Sequence, residues 1–137
     1  MTYRKAEIRP FRDEDEAVLF GLANLDRGAD SRTIAVLERE TVFVAELEAS
    51  PAGYVALSRA EDRICIDQLF VSPEHEAEGV GRQLLEWAEG YAISERAARL
   101  EVVVESENRR ALDFYRGRGF TGAGENLLEL RLPQASA

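Results

Sequence analysis

Gly79-Val80-Gly81 sits where a chain could hold a phosphate. An apolar run from Ile66 to Val71 is stopped by Ser72-Pro73, a short polar stretch follows, and a helical pattern begins at Val80. Strand, glycine loop and helix start, in that order, place bare backbone N–H groups at a helix N-terminus. Such a terminus carries partial positive charge and unsatisfied donors. Glycine also lets a ligand approach the backbone closely. Two phosphate-loop patterns fail here. The P-loop requires Gly-x4-Gly-Lys-Ser/Thr, and the chain has no such lysine. The dinucleotide fingerprint requires a third glycine where Leu84 stands.

A third pattern remains, Val-x4-(Arg/Gln)-x-x-Gly-x-Gly/Ala, read here at Val71, Glu76, Gly79 and Gly81. A second block lies downstream. Residues 108–120 read NRRALDFYRGRGF, matching Asn-x-x-Ala-x-x-Phe-Tyr-x-x-x-Gly-Phe at Asn108, Ala111, Phe114, Tyr115, Gly119 and Phe120. One helix and one strand separate the two blocks. Together, in this order and spacing, they resemble the acyl-CoA loop and the following helix of the GNAT superfamily of N-acetyltransferases. The resemblance covers about residues 4–132. The opening IRPFRDEDEAVLF is similar to that family's first strand and helix.

The elements that must position these residues follow from periodicity. Residues 4–9 (RKAEIR) read as a first strand that Pro10 ends. Asp13 to Leu25 predicts a helix whose first turn is loaded with acids, and Ser31 to Glu38 a short second one. Thr41 to Glu48 and Gly53 to Arg59 read as a hairpin turning at Ala49-Ser50-Pro51-Ala52. Glu61-Asp62-Arg63 is a second tight connection into Ile64 to Val71, the third member of an antiparallel meander. Val80 to Ser94 predicts a helix with an apolar stripe at Val80, Leu84, Trp87/Ala88 and Tyr91, so Trp87 and Tyr91 read as core. Arg99 to Glu105 is a nearly continuous apolar run, as expected of a strand covered on both faces. Strand, helix, strand implies a parallel pair with a right-handed crossover and a crevice at the strands' carboxyl ends, where both motifs fall. Asn108 to Gly117 predicts the next helix, with Asn108, Ala111, Leu112 and Tyr115 on one face and Gly119 as its stop. Phe120 to Gly124 and Leu127 to Leu132 read as a closing strand pair.

The pattern is mixed α/β. By resemblance it is the GNAT acyl-CoA N-acyltransferase fold: a central, mostly antiparallel sheet with one parallel, splayed strand pair and helices on both faces. The expected organisation is a single domain over residues 1–137, with a core at about 4–132 and a loose tail at 133–137.

The formal charge of −9 and sequence pI of about 4.7 argue against nucleic acid and anionic membrane as partners, since both demand clustered positive charge. A cationic amine substrate suits that balance, and so does plain solubility. Residues 61–107 are strongly acidic, while Arg109, Arg110, Arg116 and Arg118 form a local basic cluster. No long apolar run and no basic-then-apolar leader is present, which argues against membrane spanning and secretion. The lone Cys65 has no disulfide partner, fits a reducing cytoplasm and reads as a small core residue. His75 is the only histidine; it reads as an exposed loop residue, and no metal-ligand cluster surrounds it.

The resemblance implies an enzyme that moves an acetyl group from acetyl-CoA to a primary amine, a small molecule or a peptide, by direct attack and without a metal. It implies that the strand from Cys65 to Val71 splays from the strand Leu100 to Glu105. The pantetheine arm then pairs with backbone groups of Leu69, Phe70 and Val71. The pyrophosphate rests on amides from Glu76, Ala77, Glu78, Gly79, Val80, Gly81 and Arg82, with Asn108 and Ala111 packed on the cofactor. A backbone N–H of the splayed strand stabilises the oxyanion. Tyr115 gives its proton to the leaving thiolate, a role suited to a phenol whose pKa of about 10 lies near that of an alkyl thiol. Asp67, which interrupts an apolar strand, is the candidate base for the incoming amine. It also suits a solvent-facing sheet position, Asn108 an N-cap and Tyr115 a core aromatic. The family admits a homodimer, since its members often pair through terminal strands.

One departure bears on all of this. Where the family carries Arg or Gln at 76, and often Gly and a basic residue after it, this chain reads Glu76-Ala77-Glu78, with Glu74 close by. At an assumed separation of about 7 Å, each carboxylate costs a bound pyrophosphate roughly 0.5–2 kcal/mol. Each backbone amide bond to phosphate returns roughly 1.5–3 kcal/mol. Weakened binding is the expectation, with Arg82 or the Arg109/Arg110 cluster as offsets. Three readings therefore stand: an active N-acetyltransferase, an acyl-CoA-binding sensor, and an interaction module that has lost the cofactor.

Overall fold

Strands of 4 to 11 residues build the sheet. The computed structural model describes residues 4–19 and 41–133. The order of elements is β1 (Glu7–Pro10), β2 (Thr41–Leu47), β3 (Ser50–Ala60), β4 (Arg63–Val71), a 3-10 turn (Pro73–Glu78), α1 (Val80–Ser94), β5 (Arg99–Val103), α2 (Arg109–Arg116), β6 (Thr121–Gly124) and β7 (Leu127–Arg131). Residues 15–19 are also helical. The rest of the helix expected from Asp13, the helix expected at Ser31 to Glu38 and most of the tail lie outside the described residues. The strands form a mixed seven-stranded sheet in the order β1-β2-β3-β4-β5-β7-β6. β4 and β5 run parallel, while β1–β2, β2–β3, β5–β7 and β6–β7 run antiparallel.

By its contacts the chain divides into two units, one of Met1–Leu57 with Gln68–Ala88, the other of Ser58–Asp67 with Glu89–Ala137. In the first, β2 is buried on both faces, which explains its unbroken apolar run. Val42 and Val44 lie opposite Ala56 and Tyr54, and these four pack with Leu19 and Phe70 into one cluster. Phe43 points the other way and meets Trp87 of α1, ring centroids 5.4 Å apart. The hairpin turn differs from expectation. Leu47 pairs with Ser50, so the turn is Glu48-Ala49, both left-handed (φ 52° and 64°), which gives the primed twist that suits a hairpin. Pro51 misleads because it reads as a turn residue. It is tolerated inside β3 at a register shift, where Glu46 faces Pro51 while Ala45 faces Gly53.

α1 occupies the residues its pattern predicts, but its buried face is rotated. Val80, Leu84, Leu85, Ala88 and Ala92 are buried, whereas Trp87 is 41% exposed. At about 100° per residue the face centres on Ala88, and Trp87 lies a quarter turn away. Trp87 is therefore a half-covered margin residue, not core.

In the second unit the parallel register runs from Arg63↔Arg99 to Ile66↔Val102 and stops there, five residues before β4 ends at Val71. β5 is covered on both faces only over Leu100–Val102; Val103 is 71% exposed, against the expected continuous burial. The buried Glu101 explains how a charge fits there: Arg63 and Arg99 hold it in ion pairs at 2.9 and 2.8 Å.

A carboxylate buried beside the first strand links stability to pH. Asp15 is buried, and Arg9 grips it through two bonds at 2.7 and 2.8 Å, while also pairing with Glu46. The Asp15 side chain further accepts the Arg12 N–H at 2.8 Å. The hydrogen bond from Arg9 holds the Asp15 carboxyl below its ordinary value, against the opposing effect of burial. A depressed pKa contributes stability that is complete above the unfolded value of about 3.9 and is lost as pH falls through the folded one. Chemical denaturation should therefore show stability declining below about pH 4, and Asp15→Asn should flatten that decline while lowering stability near neutrality.

Candidate functional site

The first unit carries the strand end and the glycine loop. Leu69 and Val71 are half-buried and flank the buried Phe70. Ser72 then anchors the turn, its N–H donating to the Ala52 carbonyl at 2.8 Å. What the sequence suggests as loop is a 3-10 turn, Pro73–Glu78, ended by Gly79 in the left-handed region (φ 81°, ψ 12°). A side chain is disfavoured in that conformation, so Gly79 sends the chain directly into α1. The first turn of α1 carries no acidic residue. Its leading amides lack partners within the helix and carry the positive end of its dipole. Glu74 and Glu76 are exposed, while Arg82 pairs with Glu86 one turn on, at 3.2 Å.

Glu78 is not an open charge. Its carboxylate lies 3.0 Å from His75 Nδ1 and 3.5 Å from Arg4 Nη1. His75 is thus half-buried and engaged, where the sequence suggests an exposed loop residue. No sequence pattern points to Gln83. Buried on the second turn of α1, it donates to the Arg4 carbonyl at 2.7 Å and accepts the Ala6 N–H at 2.8 Å. These partners lie 79 and 77 residues away, so no local pattern signals them. Gln83→Leu leaves both backbone groups unpaired. It should cost about 1–3 kcal/mol in denaturant unfolding.

The second unit carries the helix motif and the candidate base. Asn108 caps α2, its side chain accepting the Ala111 N–H at 3.2 Å. Ala111 lies on the same helix, and Tyr115 is its buried residue. The Tyr115 ring stands edge-on to Phe114 and Phe120, at 5.0 and 5.3 Å. Gly117 forms the cap, and Gly119 (φ 99°) is left-handed just beyond it, so the expected stop lies two residues late. Asp67 is exposed on β4. Cys65, half-buried, is raised by burial and by the charges of Glu101 and Asp67, so it is no ready thiolate.

Among the described residues, no group of three or more His, Cys, Asp or Glu is placed to hold a metal, and no helix is long and apolar enough to cross a membrane.

Residues 4–120 match the model of the acetyltransferase (GNAT) family. Streptothricin acetyltransferase of Streptomyces lavendulae is 31% identical over 98 residues, 70% of this chain and 48% of that protein. Spermidine N(1)-acetyltransferase of Escherichia coli (strain K12) is 30% identical over 95 residues, 67% of this chain and 51% of that protein. The matches span about half the length of these curated relatives. In fold the chain is similar to an N-acetyltransferase of Thermoplasma acidophilum solved in complex with coenzyme A. That likeness has a TM-score of 0.77 at 16% identity and covers 93% of this chain and 99% of the other.

Proposed function

The chain belongs to the acetyltransferase (GNAT) family, and we propose that it moves an acetyl group from acetyl-CoA to a primary amine by direct attack. The observation carrying this reading is the left-handed Gly79 feeding a helix whose first turn holds no acid. Amides with no partner inside the helix, together with a dipole's positive end, suit a pyrophosphate. Backbone groups of Leu69 to Val71 would pair with the pantetheine arm, amides from Glu76 to Arg82 would take the phosphates, and Asn108 and Ala111 would pack on the cofactor. Tyr115 would donate a proton to the departing thiolate, and Asp67 would accept one from the attacking amine, directly or through water. A chain of net charge −9 favours a cationic acceptor, and one relative is named for acetylating spermidine at N(1).

The exposed Glu74 and Glu76 favour a second reading, an acyl-CoA-binding sensor without transfer. Calorimetry with acetyl-CoA at low and physiological salt, followed by an amine panel, separates the two. The expected results are micromolar binding and turnover with at least one amine. Glu76→Arg should tighten binding about 5- to 30-fold, more at low salt, because it replaces a repulsive charge by an attractive one. Binding without turnover on any amine supports the sensor, and no binding by any variant removes both.

A further inference from the structure

Residues 4–6 form a strap over the glycine loop. The Arg4 N–H donates to the Glu78 carbonyl at 3.1 Å, and Gln83 takes the Arg4 carbonyl and the Ala6 N–H on the other side. Gln83 Nε2 also reaches the Gly79 carbonyl at 3.1 Å, so one side chain ties the strap to the turn and to α1. The strap thereby fixes where the Arg4 guanidinium lies. It sits 3.5 Å from the Glu78 carboxylate, whose side chain is only 20% exposed. Arg4 also contacts Glu48, but that side chain is 80% exposed and its pull is well screened by water. His75 completes the surroundings of Glu78 at 3.0 Å.

We propose that Arg4 is the positioning residue that fits this acidic loop to a phosphate-bearing co-substrate, holding and neutralising Glu78 directly before the amides of Gly79 to Arg82. The inference rests on the acetyl-CoA reading above. A carboxylate that carries a guanidinium presents a dipole to its surroundings, and its repulsion of an anion falls off much faster than that of a bare charge. The sequence departure at position 78 is thus answered by a residue 74 positions earlier.

The test is calorimetric titration with acetyl-CoA at low salt. Arg4→Gln should weaken binding about 10-fold by freeing the Glu78 charge, an effect that shrinks in high salt. Arg4→Lys should stay within about threefold of the unmodified chain, since it keeps the charge. The double variant Arg4→Gln/Glu78→Gln should recover to within about threefold, a rescue that a purely structural role for Arg4 would not give. Glu78→Gln alone should change affinity less than about threefold, because its charge is already answered. That arm remains decisive if Arg4→Gln fails to fold. Three results overturn the inference while leaving the acetyl-CoA reading intact: an unchanged Arg4→Gln, a double variant as weak as the single one, or a tenfold tightening by Glu78→Gln. Absence of binding by the unmodified chain overturns both.

Discussion

If Tyr115 is the general acid proposed above, Tyr115→Phe should lower kcat for acetyl transfer by about 100- to 10,000-fold, the usual contribution of such a group, while the acetyl-CoA Kd should stay within about threefold. The substitution removes one oxygen and keeps the ring. That ring is held edge-on between Phe114 and Phe120 at 5.0 and 5.3 Å, a packing phenylalanine reproduces. In the proposed role, what disappears is the proton for the leaving thiolate, which would then depart as a less stabilised anion. A core-only tyrosine behaves differently. It loses the net worth of one hydrogen bond, about 1 kcal/mol of stability, and kcat does not move. Steady-state kinetics beside a calorimetric Kd therefore decide the role, since the fall is confined to kcat. An equal loss in Kd would mean that Tyr115 holds the cofactor without serving as its acid.

Why Tyr115 is legible in the sequence and Arg4 is not comes down to distance along the chain. Asn108, Ala111 and Tyr115 belong to one short helix and its cap, so their common element follows from spacing, and the cap bond donated by the Ala111 N–H to Asn108 is a local consequence of residue type. The glycine loop is legible for the same reason: left-handed backbone favours glycine, and the helix begins where the polar stretch ends. The parallel β4–β5 pair follows from strand, helix, strand. Three kinds of fact escape. One is pairing between remote segments, as in Arg4–Glu78 and Gln83–Ala6. Another is the exact rotation of a helix, which exposes Trp87 although its spacing suits a core stripe. The last is turn geometry without its usual residues, as in Glu48-Ala49, where neither glycine nor asparagine announces positive φ. The acidic loop shows the consequence for function. Residue types alone suggest three carboxylates facing a phosphate, whereas one of the three, Glu78, is already engaged by Arg4 and His75.

Gly53→Ala destabilises the protein by about 3 kcal/mol, the upper range for forcing a methyl group into a packed interior. A Cβ at position 53 would lie 2.5 Å from the Phe70 carbonyl oxygen and 3.2 Å from Val71 Cα, with Leu84 Cδ1 at 3.3 Å. Two opposing effects decide the sign. Alanine restricts the unfolded chain more than glycine does, which favours the variant by roughly 0.4–1 kcal/mol where the native backbone accepts it. Gly53 has no left-handed φ to forbid alanine, so that gain applies. The clash outweighs it because the nearest atoms belong to backbone, and the strand can yield only by moving Phe70, which is buried in the cluster with Leu19 and Tyr54. In guanidinium unfolding the midpoint should fall with the slope unchanged. The same displacement reaches Leu69 to Val71, the backbone proposed to pair with the pantetheine arm. Acetyl-CoA affinity should therefore drop in Gly53→Ala even at temperatures where the variant is fully folded. Asp15→Asn, destabilised through the distant Arg9 pair, should keep it. Equal losses of affinity in the two variants would assign the effect to general loosening and not to the strand end beside Gly53.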